Sequence, residues 1–296
     1  MKYRILPGTH LKVSEIGFAA GPFTPDRSGR RSEEEEAAHL IRYSLDRGIN
    51  FFDVAAVDDQ ERLETLLGDA LAEDRERAVI AARFDGRDIS PKGLHNSCEE
   101  SLKRFRTDHI DLYQIQHPKM TAVEREDLYV TLGKLKKEGK ILVWGAALGP
   151  GLGGCEEASL LMRFRKARVL QIPFGLLVRE AGRDLLSEGR KFGAGFLIRA
   201  DRFSGFLGGN GAEKLHFLVR KNRTLGQSLL KWVLAGPQAV SVLAEIEGED
   251  QINEWAAASE CPDVTAEEME RISALHKHQA PLTPPLSPVG RRKSEG

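Results

Sequence analysis

Eight short apolar runs separated by amphipathic stretches constrain this chain more than any other feature. The runs fall at residues 15–18, 50–53, 78–82, 111–115, 140–145, 168–172, 195–199 and 239–243. Each is the length of a buried strand and too short for a helix. Between them, apolar residues recur with helical spacing over about 33–47, 60–73, 91–106, 122–138, 156–166, 180–191 and 223–235, with more helix after 249. Strands that alternate with helices pair in parallel, because each crossover returns the chain to the same end of the sheet. Eight such units within 296 residues fit a closed barrel, which takes roughly 250 residues. The predicted fold class is therefore α/β, a (β/α)8 TIM barrel. Residues 1–13 read as an N-terminal β-hairpin cap, turning at Pro7-Gly8 and closing the barrel bottom.

Local signals agree with this division. Ser32 with Glu35, Thr121 with Glu124 and Thr265 with Glu268 have capping-box spacing, in which a hydroxyl and a carboxylate satisfy amides at a helix start. Ser90 followed by Pro91 is a cap followed by a first-turn proline. Leu94, Cys98, Leu102 and Phe105 share one helical face, which places Cys98 against the barrel. The barrel is expected to span residues 1–277. Residues 278–296 are rich in proline, carry the basic run Arg291-Arg292-Lys293 and lack apolar periodicity. They read as a disordered tail, or more sharply as a docking segment for a protein partner.

Bulk properties exclude several classes. The net charge is −1, so no overall field gathers nucleic acid or an anionic membrane. The three cysteines, Cys98, Cys155 and Cys261, are far apart, lack metal-ligand spacing and point to a reducing compartment. The N-terminus has no apolar signal core, and no uncharged run approaches the ~18 residues that span a bilayer. A cytoplasmic protein is expected, with no metal, nucleic-acid or membrane partner.

The segment Ser101-Leu102-Lys103-Arg104-Phe105, followed by Thr107-Asp108-His109-Ile110-Asp111-Leu112-Tyr113-Gln114-Ile115, resembles a signature of the aldo-keto reductases. Leu11 to Gly17, Gly48 to Asp53 and Leu66 to Leu71 match further pieces, and the resemblance covers about residues 1–277. It implies the same barrel, with carbonyl reduction by NADPH at the C-terminal ends of the strands. Four groups do that chemistry in the family. A tyrosine is the general acid, a lysine and an aspartate lower its pKa, and a histidine orients the carbonyl. Carried over singly, the aspartate is retained as Asp53, the tyrosine falls on Asp58, the lysine on Arg83 and the histidine on Gln116.

These replacements alter the chemistry. A general acid works best with a pKa near the operating pH, whereas an ordinary aspartate, at about 3.9, is ionised. A neighbouring carboxylate such as Asp53 would raise the pKa of Asp58, and Arg83 would lower it. Arginine cannot shuttle a proton as lysine does. Glutamine still donates a hydrogen bond and could hold a carbonyl. The plainer readings make Asp58 a helix cap, alone or with Asp59, and Asp53–Arg83 a structural ion pair. His117, next after Gln116, should point away from the interior by strand alternation.

The family's cofactor contacts are also changed. Ala19-Ala20-Gly21, Ala147-Leu148 and Ala200-Asp201-Arg202 replace its contacts after strands one, five and seven. Glu247 falls where an arginine grips the 2′-phosphate of NADPH, and Trp255 where an asparagine holds the adenine. Gln171 is retained, and Phe174 replaces a stacking tyrosine. The run Gly149 to Gly154 could bind a phosphate through backbone amides, and its plainer reading is a flexible loop. From this the first expectation is a repurposed barrel that uses no cofactor. It would do non-redox acid–base chemistry with Asp53, Asp58 and Arg83, or bind a small-molecule ligand or partner in the barrel mouth without catalysis. The alternative is an NAD(P)H-dependent oxidoreductase acting on an aldehyde or ketone in a non-standard site, with NADH or NADPH held by Gln171 and Phe174. A third reading is a scaffold acting through the tail.

Overall fold

The structure, a computed structural model, describes residues 1–20, 31–54, 60–84, 86, 88–149, 154–174, 180–199, 210–236 and 238–277. Two short strands, β1 (Tyr3–Ile5) and β2 (Lys12–Ser14), pair antiparallel in a hairpin. Eight more follow: β3 (Ile16–Ala19), β4 (Phe51–Asp53), β5 (Val79–Phe84), β6 (Ile110–Gln116), β7 (Ile141–Ala147), β8 (Val169–Pro173), β9 (Gly195–Arg199) and β10 (Ala239–Glu245). They form a closed barrel in sequence order, with β10 returning to β3, and every neighbouring pair is parallel. The eight strands lie where the apolar runs predict them, to within one or two residues at each end.

Strand alternation sorts the side chains into two cores. Odd-numbered positions along β4 to β9 except β6 face the barrel interior, and β6 contributes its even-numbered ones. Phe51, Val79, Ala81, Leu112, Val143, Val169 and Leu197 thus form an inner cluster with Val240 and Leu243. Phe52, Ile80, Phe84, Tyr113, Ile115, Ile172, Phe196 and Ile198 face outward into a second layer beneath the helices. Cys98 is wholly buried in that outer layer, as its helical spacing predicts.

The hairpin plugs the N-terminal ends of the strands. Its Leu6 and Val13 join the inner cluster. The turn follows from Pro7-Gly8: proline presets φ at the second position, and Gly8 takes the positive φ of 81° that the third requires. The Thr9 amide closes it on the Leu6 carbonyl at 3.1 Å.

The helix starts are met unevenly. Ser90 accepts from the Gly93 amide at 3.0 Å. Thr265 and Glu268 make the reciprocal capping box at 2.9 and 3.2 Å. The Thr121 cap is not formed, because the chain becomes helical at Met120, with Lys119 as the capping residue. That helix ends at Glu124 and a new one runs Glu126–Lys137. The predicted single helix 122–138 is broken at Arg125, whose extended backbone frees its guanidinium to grip Asp127 at 3.0 Å. Ser32 lies inside a helix already begun at Arg31. A capping box at Thr224 and Gln227, not anticipated from sequence, starts Leu225–Leu234. The tail 278–296 lies outside the described residues.

Candidate active site

Alternation decides which polar groups meet inside the barrel. Asp53 on β4, Arg83 on β5, Gln114 on β6 and Gln171 on β8 all sit at inward positions near the C-terminal ends. They form one network. Arg83 Nη2 donates to Asp53 Oδ2. Gln114 Nε2 donates to Asp53 Oδ1 at 3.2 Å and to Gln171 Oε1 at 3.1 Å. Gln171 Nε2 donates to Asp53 Oδ2 at 3.2 Å. Asp53 is 1% and Arg83 4% exposed, and both glutamines are fully buried. A buried charge persists only when paired and hydrogen-bonded, and here one anion meets one cation and two amides. The Arg83 carbonyl is held in turn by Gln60 Nε2 at 2.8 Å, which also donates to buried Glu64 at 2.9 Å.

Two atoms of the network keep an unused valence. Arg83 Nε and Gln114 Oε1 are buried and lack a hydrogen-bond partner among the described residues. An unpaired buried polar group costs about 1–3 kcal/mol. One is a donor and the other an acceptor, the two kinds of group that a primary carboxamide needs.

The remaining sequence candidates fall as follows. Gln116 is half-buried at the end of β6, in register with Ala147. Asp58 and Asp59 lie outside the described residues, so the structure does not place the position expected to carry the proton. Phe174 is at an outward position, 6% exposed, with one face stacked on Trp232 at 5.7 Å and 8°. A nicotinamide ring would therefore have to use its opposite face. Ala147 and Leu148 are buried and apolar. Glu245 and Glu247 are exposed where β10 ends, and the Glu247 amide donates to Gln251 Oε1 at 2.6 Å. Trp255 is buried, with its ring lying over Gly226, and serves as packing. Of the glycine run, residues 150–153 lie outside the described residues. No group of His, Cys, Asp or Glu suited to a metal ion occurs among the described residues, and no described helix is long and apolar enough to cross a membrane.

Sequence reasoning passed over Gln114, although it shares strand parity with Gln116. It also expected His117 to face away. His117 has a positive φ of 43°, so the alternation behind that expectation stops where β6 ends. Its amide continues the pairing by donating to the Ala147 carbonyl at 2.7 Å, and its ring lies over Gly149. Desolvation, then the guanidiniums of Arg199 and Arg83, hold its pKa below the usual imidazole value. Arg199 ends β9 at an inward position, with Nη2 3.4 Å from the Leu148 carbonyl.

A closed (β/α)8 barrel with a buried, charge-balanced polar network beneath its C-terminal rim has the architecture of a barrel enzyme. The chain belongs to the aldo/keto reductase family, whose model matches residues 18–198. A probable aldo-keto reductase from Glycine max is 29% identical over 214 residues, covering 68% of this chain and 59% of the soybean protein. The chain thus spans somewhat under two thirds of that relative's length. The holo form of aldo-keto reductase AKR11C1 from Bacillus halodurans superposes with a TM-score of 0.80 at 23% identity, covering 93% of this chain and 96% of the other. An aldo-keto reductase from Klebsiella pneumoniae in complex with NADPH gives 0.78 at 21% identity, covering 93% and 95%. At these identities the two structures speak to the fold.

The comparisons overturn the first functional expectation. A repurposed barrel without redox chemistry, and without a cofactor, stands against a chain whose family is that of the reductases and whose fold is shared with an NADPH complex. They back the alternative, an oxidoreductase. Arg83, where the family has lysine, pairs with the retained Asp53, and the retained Gln171 bonds to the same carboxylate.

Proposed function

We propose that this protein is an NAD(P)H-dependent oxidoreductase that acts on an aldehyde or ketone through a non-standard site. The observation that carries the reading is the buried network of Asp53, Arg83, Gln114 and Gln171 at the rim, in a chain of this family. The residues present suit a nicotinamide at one point. The unused Arg83 Nε–H and Gln114 Oε1 would hold its carboxamide oxygen and amide. When bound in reduced form, the cofactor supplies a hydride for the carbonyl carbon.

The chain's own groups supply the rest. Asp53 fixes the Arg83 guanidinium, so a positive charge stands near the carbonyl oxygen as negative charge develops there. Gln116, in the family's histidine position, orients that oxygen with its amide N–H. Arg83 cannot relay a proton, which leaves the proton to another group. The substrate is a small molecule held in the barrel mouth.

The test is titration with NADH and NADPH, followed by nicotinamide fluorescence, with a panel of aldehydes and ketones assayed for each cofactor. Saturable binding of at least one cofactor and turnover abolished by Asp53→Ala and Arg83→Ala are expected. Absence of both binding and turnover across the panel would sink the reading.

A further inference from the structure

We propose that His117 donates the proton to the carbonyl oxygen, taking the part that the tyrosine plays elsewhere in the family; this rests on the oxidoreductase reading above. Its backbone is the first argument. The φ of 43° takes His117 out of the extended backbone on which strand alternation rests. A non-glycine residue in that region marks either strain or function. Its surroundings are the second. The ring lies over Gly149, where a Cβ would stand 3.6 Å from its Cδ2, so the glycine leaves room beside it. The charged groups that act on it from the packed strands are Arg83 of β5 and Arg199 of β9, the former paired with Asp53. The third argument is elimination within the network. Asp53 is taken up by Arg83 and two glutamine amides, Arg83 and Arg199 do not give up protons near neutrality, and Gln114, Gln116 and Gln171 do not titrate. Of these side chains and His117, only the imidazole exchanges a proton in that range. It is exposed, so water can recharge it after each turnover.

The step balances. The carbonyl carbon accepts a hydride from the reduced nicotinamide and forms a C–H bond. The π pair of C=O moves to oxygen, and that oxygen takes the imidazolium proton. The carbonyl is reduced, the nicotinamide is oxidised, and His117 is left neutral until solvent protonates it. The two guanidiniums disfavour the imidazolium, which makes it a stronger acid and a scarcer one. Turnover should therefore rise as pH falls through a value below the ordinary imidazole range.

The test uses the full chain and His117→Asn and His117→Gly, both of which accept a positive φ. Both variants should lose about 10²-fold or more in kcat and lose the acidic limb of the pH profile. KM for the cofactor should not change, and added imidazole should restore His117→Gly. A second readout needs no cofactor. By NMR titration of the unliganded chain, the His117 ring should have a pKa below that of an ordinary histidine, and Arg199→Gln should raise it. Variants with the parental rate and pH profile would overturn the proposal alone. So would lost activity that keeps the profile and resists imidazole, which marks a structural role. A parent chain that turns over no carbonyl with either cofactor would overturn the oxidoreductase reading, and the proposal with it.

Discussion

Arg83 stands two residues beyond Ala81, the register partner of Asp53 on the adjacent strand, and the two charges pair inside the barrel, each at least 96% out of water. Removing one charge of a buried pair strands the other, at a cost of about 3–5 kcal/mol. Arg83→Met should cost that much in urea unfolding. Adding Asp53→Asn should cost less than the sum of the two single changes, because the double variant leaves no bare ion. A cost for Arg83→Met under about 1 kcal/mol would mean that water reaches Asp53.

The last helix among the described residues, Ala266–Lys277, is tied down by Glu268. Its carboxylate accepts from Arg223 at 2.7 Å, with both side chains at most 2% exposed, and from Arg220 at 2.7 Å. Burial opposes its ionisation. Arg223, the Thr265 amide and Arg220 outweigh that and hold its pKa at about 2, from an ordinary 4.5. A pKa depressed by folding adds stability above the unfolded value, and this is lost as pH falls through the folded one. Acid unfolding should therefore draw on Glu268 between about pH 4.5 and 2. Glu268→Gln should flatten that part of the curve and cost about 3 kcal/mol at neutral pH through the stranded Arg223.

Gly195 opens β9 against the hairpin. A Cβ there would stand 2.5 Å from Pro7 Cγ and 2.6 Å from Val240 Cγ2. Gly195→Ala should cost about 1–3 kcal/mol by overpacking, seen as a lower Tm. An unchanged Tm would show that the hairpin rides loosely on the barrel.

Burial, then the nearby Glu99, pushes the Cys98 thiol up to about 12. Since the thiolate is the reactive form, Cys98 should resist iodoacetamide in the native protein and react only on unfolding. Labelling of Cys98 under native conditions, read by mass spectrometry, would contradict its packing.

The strands were legible because a barrel strand buried on both faces must be apolar over its whole length, and eight such runs leave few topologies. The candidate site was legible only in part. Asp53, Arg83 and Gln116 could be placed from flanking motifs, but a comparison of positions treats each residue separately. It could not show that Gln114 and Gln171 close around Asp53, which depends on three strands brought together by barrel closure. The direction of His117 was not legible for a local reason: alternation holds only while φ stays extended, and nothing in Gln116-His117-Pro118 announces a positive φ. The helix break at Arg125 was hidden likewise, since the apolar spacing runs across it unbroken.

The hairpin at the bottom gives the barrel a blind end. With Leu6 and Val13 seated among Phe51, Val79 and Leu112, the lower interior is filled with side chains and leaves no passage at that end. Whatever reaches Asp53 passes the strand C-termini twice, once inward and once outward.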